Sequence, residues 1–481
     1  MGIPGITLWV TPERTGQRIG RRICECVLIA TILCAWSAFP VPARPCAATA
    51  PADGLAGLER PMFDYFWDNA DPRTGLIPDR LPKAPYSSIA AVGFGLTAYV
   101  IGAQRHYVPW AAALARSLLL LRTLSRAPAE HGLFYHFIGL QDLRPTWDSD
   151  VSPVDSSLLF AGIVTAESYF DGPSAPEREL RSRAQQLLDR ADWQWAAPRP
   201  PAIAMDWTRK SGFDDQDWVG YNEAMLMYIL AIGSRTHPLP PAAWNAYAAG
   251  YERTWGVHQG YEHLGFGPLF GHEYSEVWID FRGIADPFMR AHGIDYFINS
   301  QRAVLAQRRY AIENPDHWRD YGPDVWGISA SDGPGDQQMR VDGAVRTFLG
   351  YSGRGAGGGW PDDGTLAPLA VVAALPFAPQ EVEASIEALK SRFGTRLYGR
   401  YGFVDAFNPS FGEHGWFDPD YVGTDTGAAL AMVENVRSGL IWRLLRRNQN
   451  IVQGLRRAGF EGGWLAESHA DASTHHRTPG R

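Results

Sequence analysis

Apolar positions along this chain fall into two kinds of helical pattern. One kind is amphipathic. Leu180, Ala184, Leu187, Leu188 and Ala191 recur at the spacing of one helix face, and Val382, Ile386, Leu389 and Phe393 do the same with charges between them. Such a helix buries one stripe and wets the other. The second kind is apolar nearly all round: IAAVGFGLTAYVIGA from Ile89, SSLLFAGIVTA from Ser156, AMLMYILAIG from Ala224, LAPLAVVAAL from Leu366 and GAALAMV from Gly427. These runs are too short to span a bilayer, so they predict helices buried between protein layers. About twelve helical segments result, with few convincing strands. Alternating wet and dry helices predict an all-α fold, an (α/α)6 toroid in which an outer ring wraps an inner one. A plain bundle or an α-solenoid is the alternative.

Small or acidic residues stand before the dry runs: Ser87-Ser88, Asp155, Asn222-Glu223, Asp363 and Asp425. Capping and the helix dipole account for each of them taken singly. In a toroid, the inner N-termini on one side surround one funnel, so these positions would converge there.

The ends of the chain read differently from its middle. Arg18, Arg21 and Arg22 precede an apolar run from Val27 to Phe39, followed by Ala47-Ala48-Thr49-Ala50. That order describes a secretory signal peptide over residues 1–50, and a periplasmic or secreted protein. Cys24, Cys26, Cys34 and Cys46 all fall inside it, so the mature chain is expected to hold no disulfide, thiolate nucleophile or Cys-ligated zinc. Residues 51–463 read as one domain, and the polar stretch 464–481 reads as a disordered tail. Removing the five Arg and two Glu of residues 1–50 takes the net charge from −8 to −11. That acidity argues against nucleic acid and anionic membranes as partners, and no stable membrane insertion is expected after signal cleavage. The 18 Trp in 481 residues suit stacking on sugar rings, although core packing explains any single one as well.

Glycosidic cleavage needs an acid that stays protonated near neutral pH and a second carboxylate that activates water or attacks directly. Glu223, in Trp218-Val219-Gly220-Tyr221-Asn222-Glu223, meets the first need, because so apolar a helix requires no Glu to start it. Asp148, Asp150 and Asp155 form a second acidic group. Asp405, flanked by Tyr401, Phe403 and Phe407, is a third candidate, and Asp362-Asp363 lie in a turn pattern. His272-Glu273 lacks the second His of a zinc helix, and Gly353–Gly359 lacks the Lys-Ser/Thr ending of a phosphate loop. Neither a metal nor an organic cofactor is called for.

Several of these stretches resemble the bacterial glucoamylase-like domain shared by endo-β-1,2-glucanases and part of the cyclic β-1,2-glucan synthases. They include TGLIPDR from Thr74, GLFYHF from Gly132, VDSSLLFAGI from Val154, GYNEAMLMYILAIGS from Gly220, GPLFGHEYSEVWIDFRG from Gly267, VWGISASDGP from Val325, DDGTLAPLA from Asp362 and YGFVDAFN from Tyr401. The blocks run in family order from about residue 54 to 460. The resemblance implies an (α/α)6 barrel hydrolysing β-1,2-glucan, usually endo and with inversion. It implies that Glu223 is the general acid and that Asp150 and Asp155 belong to the cleft; Asp405 is the candidate base, reaching its water directly or through a substrate hydroxyl, with Asp150 and Asp155 as the alternatives for that role. Ser152-Pro153 and Ser156 depart from the family's Thr or Ser-Thr there. Tyr221, Asn222, His272, Tyr274, Trp278, Trp326, Asp332 and Asp363 are the expected sugar contacts. A transglycosylase on the same fold, a polysaccharide lyase and a non-catalytic glucan-binding protein are the alternatives. The acidic balance speaks against the lyase.

Overall fold

A computed structural model describes residues 54–466 with the exception of Lys83. The expected signal peptide lies outside the described residues. Trp464 and Leu465 extend the folded part past the 463 boundary drawn from the sequence. The Trp464 indole donates to the Asp280 carbonyl at 2.8 Å, and Leu465 is buried.

Six helices form the inner ring: Ile89–Gln104, Pro153–Tyr169, Met225–Gly233, Phe270–Trp278, Pro368–Ala373 and Gly423–Ser438. Every residue of Met225–Gly233 and Pro368–Ala373 is buried, as is all of Ile89–Gln104 except its last residue. This is why these stretches carry no wet face in the sequence. Ile89–Gln104 packs on Pro153–Tyr169 and Gly423–Ser438. Pro153–Tyr169 continues to Met225–Gly233, and Gly423–Ser438 continues to Phe270–Trp278 and Pro368–Ala373. Gly93 and Gly162 allow a close crossing, since a Cβ on Gly162 would lie 2.1 Å from the Gly93 carbonyl oxygen.

The outer ring comprises Leu55–Asn69, Trp110–Leu124, Ala175–Arg190, Tyr296–Glu313, Pro379–Phe393 and Gln449–Arg457. Each packs on an inner neighbour. The amphipathic stripes face inward: Leu180, Ala184 and Leu187 are buried on one outer helix, and Val382, Ile386, Leu389 and Phe393 on another. The architecture is the (α/α)6 double ring.

The near-absence of strands expected from the sequence needs correction. Among the described residues, nine two-stranded antiparallel ladders decorate the loops, with strands of two to five residues. Such strands are too short to show a period-two pattern. Two of them build the mouth of the barrel. Tyr86–Ser88 pairs with Phe137–Gly139 directly ahead of the first inner helix. Arg80–Leu81 pairs with Tyr421–Val422, which sets Asp79 and Arg80 beside the start of the last inner helix.

Candidate active site

Glu223 sits in the turn that leads into Met225–Gly233. The Asn222 side chain accepts the Ala224 N–H at 3.0 Å, and the Tyr247 hydroxyl donates to the Asn222 carbonyl at 2.8 Å. Ser275 donates to the Glu223 carbonyl at 2.9 Å while accepting the Leu226 N–H at 3.0 Å, which ties the turn to the neighbouring inner helix. The backbone that carries Glu223 is therefore held from both sides. It is 5% exposed, and its Oε2 has no hydrogen-bond partner among the described residues. Burial pushes the carboxyl up to about 8, and the charge of Asp155 adds to the shift. A carboxyl in this state is a proton donor at neutral pH.

Asp155 lies on the first turn of Pro153–Tyr169. Ser152, and not Asp155, caps that helix, and its hydroxyl is 2.5 Å from Asp155 Oδ2. His136 stands between the acids of this group, with Nε2 3.6 Å from Asp155 and Nδ1 3.9 Å from Asp150. Burial opposes charge on the imidazole, but Asp155, Asp150 and Asp79 outweigh it and hold the His136 pKa above its ordinary value. Asp150 is raised by burial, against the pull of His136.

Asp405 belongs to a second group of acids. It is 2% exposed, and its Oδ2 accepts the Asp332 N–H at 2.9 Å. Its carboxyl also hydrogen-bonds that of Asp425, which receives the Tyr274 hydroxyl at 2.8 Å. Burial, followed by the charges of Asp425, Asp332 and Asp418, lifts Asp405 well above the carboxylate range. Burial raises Asp425 to about 6, with the Tyr274 and Asp405 hydrogen bonds opposing the rise. The two carboxyls act as a dyad that shares one proton and retains one negative charge near neutrality.

Asp332, Asp405 and Asp418 have carboxylate oxygens within 4.8 Å of one another, close enough to share a cation. A protein cation already stands against this trio. The Arg80 guanidinium is paired with Asp332 and lies 3.3 Å from Asp79 and 3.4 Å from Asp420.

The other expected sugar contacts divide sharply. Tyr274 and Asp332 border the dyad as described. Asn222 shapes the turn that presents Glu223. Trp278 and Trp326 are fully buried; one indole donates to Thr97 at 3.3 Å, the other to Ser385 on an outer helix at 2.7 Å. Tyr221 and His272 are buried and 3.1 Å apart, and the second ring nitrogen of His272 lies 3.0 Å from the Phe266 carbonyl. Burial, with His263 adding, lowers the His272 pKa to about 3, so this ring is neutral. Asp363 is sealed against Arg354, with contacts of 2.7 and 3.1 Å. All five side chains are buried and hydrogen-bonded within the protein. Asp425, Arg80 and His136 join these acid groups without having been candidates from the sequence, although Asp425 stands at a helix mouth and His136 lies within a family block.

A double ring of helices with carboxyls of contrasting proton affinity gathered at one mouth defines a toroid built for acid–base work. Residues 215–449 match the family model described as "Putative glucoamylase". A curated relative, the exo β-1,2-glucooligosaccharide sophorohydrolase (non-reducing end) of Parabacteroides distasonis, is 29% identical over 440 residues. The match covers 83% of this chain and 57% of that protein, so the chain spans little more than half of its relative's length. The endo-β-1,2-glucanase of Chitinophaga pinensis, solved with sophorotriose and glucose, superposes with a TM-score of 0.76 at 26% identity, covering 85% of this chain and 98% of that one. A β-1,2-glucanase from Parabacteroides distasonis gives 0.75 at 25% identity, covering 84% and 59%.

Proposed function

We propose that this protein is an exported glycoside hydrolase that cleaves β-1,2-linked glucan by carboxylic acid and base catalysis. The observation that carries the reading is Glu223, a buried, protonated carboxyl with one oxygen left unpartnered at the rim of the inner ring. Glu223 gives its proton to the leaving glycosidic oxygen as the bond from that oxygen to the anomeric carbon breaks. A water oxygen bonds to the anomeric carbon, and its proton passes to the Asp405–Asp425 dyad. Asp150, Asp155 and His136 line the acid's side of the cleft, and Tyr274, Asp332 and Arg80 the base's side. The relatives active on β-1,2-glucan support the linkage. Export rests on the signal-like pattern of residues 1–50 and places the enzyme in the periplasm or outside the cell.

Digestion of linear β-1,2-glucan, β-1,3-glucan and cellulose in parallel, with products resolved by size, tests the proposal. Cleavage of the first alone is expected. A ladder of products marks endo attack, and accumulation of disaccharide alone marks exo attack. Adding acceptor sugars and finding elongated products would instead favour a transglycosylase. Activity only on β-1,3-glucan or cellulose would overturn the linkage.

A further inference from the structure

The loop that leads to Asp148 and Asp150 holds an aromatic residue with no part in the chemistry above. Trp147 is 51% exposed, although indole is among the side chains a folded protein gains most by burying. Its backbone φ is 55°, in the left-handed region that costs a bulky L-residue energy. Strain of this kind persists where surroundings impose it, and it collects at ligand-holding positions. Here the surroundings are explicit. The Thr146 N–H donates to the Phe137 carbonyl at 3.1 Å, and Ser149 accepts the Phe137 N–H at 2.9 Å, so the loop is tied on both sides of Trp147. The indole meets Tyr86 at 4.6 Å and 68° and Phe137 at 5.8 Å and 77°, both steep contacts that brace the ring without stacking flat against it.

Its position points to what the open face meets. Phe137 stacks on His136 at 3.9 Å, and His136 is the neighbour of Asp155, the carboxylate whose charge reaches Glu223. Tyr86, on the other side, precedes the first inner helix in the strand that pairs with Phe137–Gly139. Trp147 thus stands at the outer end of a row of rings that runs to the proposed acid. Carboxylates follow it directly in the chain, ready to accept hydroxyl protons. An apolar face beside acceptors is the surface that recognises a pyranose ring.

We infer that Trp147 is the stacking platform of an outer glucosyl subsite, holding a sugar unit of the chain away from the bond that is cut. This inference rests on the proposed glucan reading and adds a subsite to it. Binding of linear β-1,2-glucan, measured by calorimetry on Glu223→Gln so that turnover plays no part, is expected to weaken about tenfold when Trp147→Ala is added, and to be largely restored by Trp147→Tyr. In the otherwise wild-type enzyme, Trp147→Ala is expected to raise KM for the polymer by a similar factor with kcat kept. Trp147→Gly relieves the backbone strain, so it is expected to keep or raise Tm while losing the same affinity. Unchanged affinity in Trp147→Ala, or a Tm lowered by several degrees in Trp147→Gly, would overturn the platform and mark the indole as structural. If wild type cuts β-1,2-glucan and Trp147→Ala is kinetically silent, only this inference fails. If the glucan binds Glu223→Gln through Trp147 but wild type never cleaves it, only the hydrolase reading fails. If it does neither, both fall.

Discussion

Replacing Glu223 with Gln tests the protonated state of the proposed acid without relying on turnover. The carboxyl moves from an ordinary 4.5 to about 8 on folding, chiefly because burial disfavours its charge. A pKa raised on folding gives stability that is complete below pH 4.5, declines as pH rises, and is fully lost above about pH 8. Each pH unit in that window costs about 1.4 kcal/mol, so the loss is about 1 kcal/mol at pH 5 and about 3 kcal/mol at pH 7. Gln cannot ionise and escapes the penalty. The stability difference, Glu223→Gln minus wild type, is therefore expected to grow by about 2–3 kcal/mol between pH 5 and pH 7. Urea denaturation of both proteins at the two pH values, followed by tryptophan fluorescence, measures it. All other titrating groups are common to both chains and cancel to first order. A difference that stays flat with pH would mean that Glu223 ionises normally in the folded protein, and it would remove the residue from the acid role whatever the effect on activity.

The same two environments set the pH dependence of catalysis. kcat/KM should rise as the dyad gives up the first of its two protons near pH 6, keeping the second, and fall as Glu223 loses its own near pH 8, with the optimum between them. Arg80→Met removes the positive charge beside the dyad and should move the acidic limb to higher pH while leaving the alkaline limb in place. Asp363→Ala strands the buried Arg354 guanidinium and should cost about 3–5 kcal/mol in urea denaturation, a loss far larger than a sugar contact at the cleft would produce.

The dry helices were legible because burial on every face removes the polar positions that would otherwise punctuate them; Met225–Gly233 has no exposed residue at all. Glu223 was legible for a related reason, as a carboxyl placed where neither helix initiation nor solvation required one. Asp425 was not. An acid in the first turn of a helix is what the macrodipole favours anyway, and its partners Tyr274 and Asp405 come from distant parts of the chain. The tryptophans misled in the opposite direction. Trp278 and Trp326 lie in blocks rich in family character, but their indole N–H groups find Thr97 and Ser385 inside the helix layers. The exposed Trp147 was not among the expected sugar contacts. Composition reports that aromatic rings are plentiful, whereas exposure decides which of them a sugar can reach, and exposure depends on chain crossings that sequence spacing does not encode.

The division of labour at the mouth follows from counting charges around each carboxyl. Glu223 and Asp405 are equally enclosed, so burial alone would leave both protonated and the site without a base. Glu223 feels one nearby carboxylate and has a bare Oε2, so its proton has no competing place to go. Asp405 is hydrogen-bonded to a second acid, and that acid has a phenol to stabilise its charge; Arg80 stands close by. A second proton on the dyad would sacrifice those interactions, and a second charge would place two carboxylates side by side in a buried space. One proton shared between two acids is the remaining state, and it is the only one that keeps a base available at the pH where Glu223 still holds its proton.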